Sequence, residues 1–246
     1  MSAEKNKNKQ KNPEQNKKIA LIVAVSAILF VVAVAIVGTA IAHSKEEKPV
    51  IPTSRCSREN LWDCPVVDKP ILYLYPTEET KVNVSFANPG QLTTTYPKYY
   101  GGWTVTAQPN GNLTDINGNN YYALYWEENS EFRPDTETAF YVTKDNAIDF
   151  LESKLTLIGL NERERNEFIM YWLPILEENE QSLVRFAYTD ELQADNELKI
   201  SPKPDSLLRV RIFVEKTDSN PNLPEPTINH FERNGFTAVE WGGTSY

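Results

Sequence analysis

The chain has 246 residues, with 25 lysines and arginines against 34 aspartates and glutamates and a formal net charge of −9 at pH 7. Its first eighteen residues hold six of the lysines and only two acids, so about −13 is left for residues 43–246, a charge that repels polyanions and excludes nucleic acid as an expected partner. Two cysteines and two histidines, with neither His43 nor His230 at ligand spacing from Cys56 or Cys64, give no reason to expect a metal or another cofactor.

In chain order, the first segment is a polar tail, residues 1–18, rich in Lys, Asn and Gln, which reads as disordered. An uncharged run from Ile19 to Ala42 follows. As a helix it would reach ~36 Å, enough to cross a hydrocarbon core of roughly 30 Å, and so it predicts a single transmembrane helix with the membrane as a partner. Six lysines precede the run, whereas Lys45, Lys48, Arg55 and Arg58 follow it, which orients the N-terminus to the cytoplasm and the bulk of the chain outside. The rival reading is a cleaved signal peptide ending at Ala40-Ile41-Ala42, but the apolar stretch exceeds the usual 7–15 residues of such a region. Residues 43–68 read as a stalk. In an oxidising compartment Cys56 and Cys64 are expected to pair within it, closing a short loop worth about 2.6 kcal/mol on the chain-entropy model.

Residues 69–246 carry the pattern of a folded α+β domain. Ile71 to Tyr75 and Lys81 to Phe86 read as strands, the second with Val82, Val84 and Phe86 on one face. Gln91 to Tyr96, Trp103 to Gln108 and Tyr121 to Glu128 continue an antiparallel meander, with Asn110-Gly111 and Asn117-Gly118 as tight turns. Thr143 is placed to cap a helix carrying Ala147, Ile148, Leu151, Leu155 and Ile158, which Gly159 stops. Asn161 and Glu164 form a capping box for a second helix with the stripe Phe168, Ile169, Trp172 and Leu176, in which Pro174 is expected to cause a kink or an end. Strands return at Ser182 to Thr189, Leu208 to Val214 and Phe236 to Trp241. The expected fold is a mainly antiparallel sheet with an inserted helical hairpin, preceded by the transmembrane helix; a two-domain split near residue 130 is the alternative.

Five runs occur in order: KPILYLYP, YYALYWEE, NEFIMYWLPILE, SPKPDSLLRV and NGFTAVEWGG. Together they resemble an uncharacterised family of bacterial exported or membrane-anchored proteins, over about Lys69 to Trp241. That resemblance implies a bacterial, exported setting and brings no activity with it.

Candidate chemistry lies where acids neighbour aromatics. Glu127 and Glu240 are the carboxylates that would serve glycoside hydrolysis if they faced one cleft. Against that, Glu240 shares a face with Phe236 and Ala238, and a buried acid there is expected to pair with Arg209 or Arg211. Strict strand alternation puts Tyr121, Ala123, Tyr125 and Glu127 on one face, and Tyr122, Leu124, Trp126 and Glu128 on the other. Trp103 and Trp126 are expected in the core, while Tyr99, Tyr100, Tyr121 and Tyr125 are the candidate ligand-binding residues. The sequence Asp115 to Asn120, DINGNN, lacks the downstream bidentate acid of a calcium loop and reads as a hairpin turn. Three functional readings follow: a surface binding domain for a glycan or protein, an envelope glycan hydrolase, and a structural subunit of a membrane assembly.

Overall fold

The computed structural model describes residues 66–246. Fifteen strands and α-helices make up this region. The first strands are β1 (Val66–Tyr75), β2 (Thr80–Phe86), β3 (Leu92–Tyr96), β4 (Trp103–Ala107), β5 (Leu113–Asp115), β6 (Asn120–Tyr121), β7 (Leu124–Asn129) and β8 (Phe140–Thr143). Helices α1 (Ala147–Ile158) and α2 (Glu162–Asn179) then precede β9 (Gln181–Tyr188), α3 (Thr189–Asp195), β10 (Leu198–Ser201), β11 (Ser206–Lys216) and β12 (Thr237–Ser245).

Two sheets form where a single one was expected. The larger has the order β3-β7-β1-β12-β11-β9-β8, and the smaller β10-β2-β4-β5-β6. All pairs are antiparallel except β11 with β12, which run parallel with Arg209 opposite Glu240 and Val210 opposite Trp241. Their middle residues are buried on both faces, which suits strands covered from both sides. On one face of the large sheet, α1 and α2 bring Leu151, Leu155, Phe168 and Trp172 against Tyr73, Val210, Ile212 and Trp241. On the other face, Leu72, Leu74, Leu124 and Trp126 meet Val82, Val84, Phe86, Trp103 and Val105 of the small sheet. Beside the small sheet, α3 covers the rest of that face through Leu192, which packs with Ala187 and Phe213. The result is three layers around two apolar interfaces.

The helix signals act as their chemistry requires. Thr143 caps a short 3-10 turn, Lys144–Asn146, that leads into α1, and Gly159 ends α1 at φ 104°. That glycine is obligatory, because a Cβ there would lie 2.6 Å from the carbonyl oxygen of Phe231. Asn161 and Glu164 form the reciprocal capping box of α2. One expectation on α1 needs correction: Ile148 is exposed, while the buried residues of that helix are Ala147, Leu151, Leu155 and Ile158. Of the kink or end expected at Pro174, the end does not occur, since α2 continues to Asn179 with the proline inside it.

The fold class is corrected as well. The run Ile19–Ala42 expected to span a membrane lies outside the described residues; what is described is an α+β domain, and among the described residues no helix is long and apolar enough to cross a membrane. The longest of them, α2, opens on the polar turns Glu162 to Glu167 and carries its apolar residues in one short run, Phe168 to Leu176, before Glu177 and Glu178. Cys56 and Cys64 also lie outside the described residues.

Candidate functional site

A break between β6 and β7 builds the site. The stretch Tyr121 to Glu128 was expected as one strand, but it divides: Asn120–Tyr121 belongs to the small sheet and Leu124–Asn129 to the large one. Tyr122 and Ala123, in neither sheet, carry the chain across. Simple alternation would place Tyr122 opposite Tyr121 and Tyr125, yet at this crossing all three line one pocket of about 190 Å³, together with Tyr96. A second pocket of about 370 Å³ adjoins it, sharing Tyr121 and walled by Tyr100, Trp103, Asp115 and Ile116. Four of the eight large apolar side chains exposed among the described residues, Tyr96, Tyr100, Ile116 and Tyr122, line these two pockets, so the exposed apolar surface is concentrated here.

Each wall is held from behind. The loop that presents Tyr100 is pinned by two bonds: Trp103 Nε1 donates to the Pro97 carbonyl at 2.8 Å, and the Tyr99 amide donates to Thr95 Oγ1 at 3.0 Å. The β5–β6 hairpin is organised by Asp115, whose carboxylate accepts from the amides of Asn117 (2.8 Å) and Asn119 (2.9 Å) and from Asn119 Nδ2 (2.9 Å). These bonds, that of the Asn119 side chain first, hold the Asp115 carboxyl below its ordinary range. Tyr121 donates from its hydroxyl to Asp115 at 3.4 Å and meets the ring of Tyr96 edge to face, centroids 5.6 Å apart. Gly118, at φ 82°, closes the turn that the Asn-Gly pair anticipates.

At the other end the groove borders a group of acids and phenols. Tyr125 donates to Glu127 Oε1 at 2.6 Å, and burial followed by that bond raises its phenol well above the ordinary range. Burial and the charge of Glu127 likewise raise Asp68, which sits at a bulge in β1 beside Lys69. Lys69 adopts φ 51° and places its ammonium 5.0 Å from the ring centroid of Tyr171, whose phenol is pushed up to about 12 by burial and by Asp68 and Glu127. On α2, the Arg163 guanidinium lies 4.3 Å from the Tyr122 ring centroid and bonds Glu167 at 3.3 Å.

Comparison with family models, curated proteins and solved structures finds no match for this chain. The function therefore has to follow from the chemistry of the site.

Of the residues singled out from sequence, Tyr100, Tyr121 and Tyr125 come together in this groove. Tyr99 does not: it packs edge-on against Trp103 at 4.9 Å, and its hydroxyl accepts from the Phe86 amide. Tyr96 and Ile116 were missed. A tyrosine before a proline and an isoleucine within a turn carry no periodic signal, and exposure was the only property that could have flagged them.

The two candidate acids do not share a cleft. Register pairs Leu72 with both Glu240 and Leu124, so Glu240 lies on the face of Leu124, Trp126 and Glu128, whereas Glu127 lies on the opposite, helix-covered face. Glu240 is fully buried and bonds Arg209 Nε at 2.5 Å. Arg209 also donates from Nη1 to Leu192 and Asn196 carbonyls and to Gln193 Oε1 at 2.7–2.9 Å. Next to it, buried Arg211 bonds Glu128 and reaches Asp195 Oδ2 at 3.2 Å. Burial alone would lower the Arg211 pKa, but the charges of Glu128, Glu240 and Asp195 outweigh it and raise the pKa, so the guanidinium stays charged. These acids are committed to interior ion pairs. No group of three metal-ligating side chains occurs among the described residues.

Proposed function

We propose that residues 66–246 form an extracytoplasmic binding domain that holds a glycan in the tyrosine groove. One observation carries this reading: two adjoining pockets share Tyr121 and gather half of the large exposed apolar side chains of the described region. Sugar rings present an apolar C–H face and a rim of hydroxyls. Tyr100 and Tyr121 supply flat apolar surface for the first, and Thr104, Asp115 and Asn117 supply donors and acceptors for the second. The acidic balance of residues 43–246 disfavours a polyanionic ligand and leaves neutral or cationic ones. Placement outside the cytoplasm is supported by the excess of lysines ahead of the uncharged run Ile19–Ala42.

The test is a glycan binding screen with the full-length protein, followed by titration of the best binder against variants. Tyr100→Ala and Tyr121→Ala are each expected to weaken binding about tenfold, the loss typical of one well-placed aromatic anchor. Unchanged affinity in both would remove the groove as the binding surface, and a screen that captures only proteins would replace the ligand class. Protease added to intact cells should digest this domain; full protection would refute the proposed location.

A further inference from the structure

The smaller pocket has a chemistry distinct from its neighbour. Tyr96, Tyr121, Tyr122 and Tyr125 line it, with Ile71, Ala123 and Asn120, whose Oδ1 accepts from Thr114 Oγ1, and no charged side chain lines it. Tyr96 and Tyr121 stand at 79° to one another, forming a corner whose walls are ring faces and edges. At about 190 Å³ it is smaller than the roughly 300 Å³ at which drug-sized sites begin, so it admits a compact head group.

Negative charge stands behind the rings. The Tyr121 hydroxyl points to Asp115 at 3.4 Å and that of Tyr125 to Glu127 at 2.6 Å, while Glu167 on α2 acts on Tyr122. The nearby cations are Arg163, bonded to Glu167 and lying on the Tyr122 ring, and Lys69, held over the Tyr171 ring; neither lines the pocket. Lys98 lines only the larger pocket. Electron-rich faces backed by carboxylates attract a cation. A primary ammonium would bring three N–H donors that need acceptors, which ring faces do not supply; only the phenol oxygens at the rim, donating to carboxylates at Tyr121 and Tyr125, keep lone pairs for it. A methylated ammonium has no donors to satisfy.

We infer that this corner is an aromatic cage for a trimethylammonium group carried as a substituent on the glycan held in the adjoining pocket. The inference rests on the glycan reading and names the feature that selects among glycans.

The experiment titrates the full-length protein with choline chloride and, separately, with its neutral isostere in which a quaternary carbon replaces the nitrogen. Choline is expected to bind, and the isostere at least about tenfold more weakly, because shape is matched and only the charge is removed. Tyr96, 64% exposed, can be changed without opening the core. Tyr96→Ala should weaken choline about tenfold and Tyr96→Phe, which keeps the ring, by less than about threefold. Equal affinity for the isostere, or no binding of choline, overturns the cage. If a plain glycan binds while choline does not, the cage falls and the groove stands. If choline binds and no glycan does, the glycan reading falls and takes the substituent with it. Tighter binding of a trimethyllysine peptide or of phosphatidylcholine vesicles than of a phosphocholine-bearing glycan overturns the assigned carrier.

Discussion

Two regions of this protein bring acids and large side chains together, and they do so for opposite ends. In the interior, Arg209 and Arg211 meet Glu128, Glu240 and Asp195 under α3, each arginine bonded to at least one carboxylate. In the groove, Asp115 and Glu127 bond phenols whose rings remain turned to a pocket. The first arrangement spends its bonding capacity within the fold, while the second leaves apolar ring surface for a ligand. A carboxylate beside an aromatic in the sequence is thus ambiguous until its partner and its exposure are known.

The largest effect is expected at Arg211. Arg211→Met leaves Glu128 buried without its cation and should cost about 3–5 kcal/mol in chemical denaturation. Pairing it with Glu128→Leu removes the orphaned charge, and the double variant should recover at least about 1 kcal/mol relative to the sum of the single changes. A purely additive result would mean that the pair is not coupled. In the groove the expectation reverses: Tyr100→Ala should shift stability by no more than about 0.5 kcal/mol while weakening ligand binding.

Two acids near the groove respond to pH with opposite sign. The Asp68 carboxyl is raised in the folded state, so its ionisation opposes folding, and the loss of stability sets in as pH rises from the unfolded value of 3.8 through the folded one. Asp68→Asn should therefore raise Tm slightly at neutral pH, with the gain vanishing below pH 3.8. Asp115 has the opposite sign. Its pKa is lowered, so its support of the β5–β6 hairpin is complete above the unfolded value and is lost as pH falls through the folded one. The amide signals of Asn117 and Asn119 in an acid NMR titration should move below pH 3.8 and stay unchanged at neutral pH.

What the sequence made legible was local. The alternation of Val82, Val84 and Phe86, the capping box of Asn161 and Glu164, the stop at Gly159 and both Asn-Gly turns each depend on residues a few positions apart, and each forms. The Glu240–Arg209 pair was legible too, because a lone acid on an apolar face demands a cation and the facing strand offers one. Division into two sheets was not legible, nor was the parallel pairing of β11 with β12, since both depend on partners distant in the chain. The site was half visible for the same reason. Tyr121 and Tyr125 satisfied alternation, whereas Tyr122 joined them only because the chain leaves one sheet for the other at that point.

The position of β12 bears on how the domain is made. It follows every other described strand in chain order and yet stands in the middle of the large sheet, with β1 on one side and β11 on the other. Until Thr237–Ser245 is in place, the strands on its two sides, β1 and β11, each keep an unpaired edge. Closure of the large sheet therefore waits on the last strand of the described region, and a fragment cut before it would offer two edges to other chains.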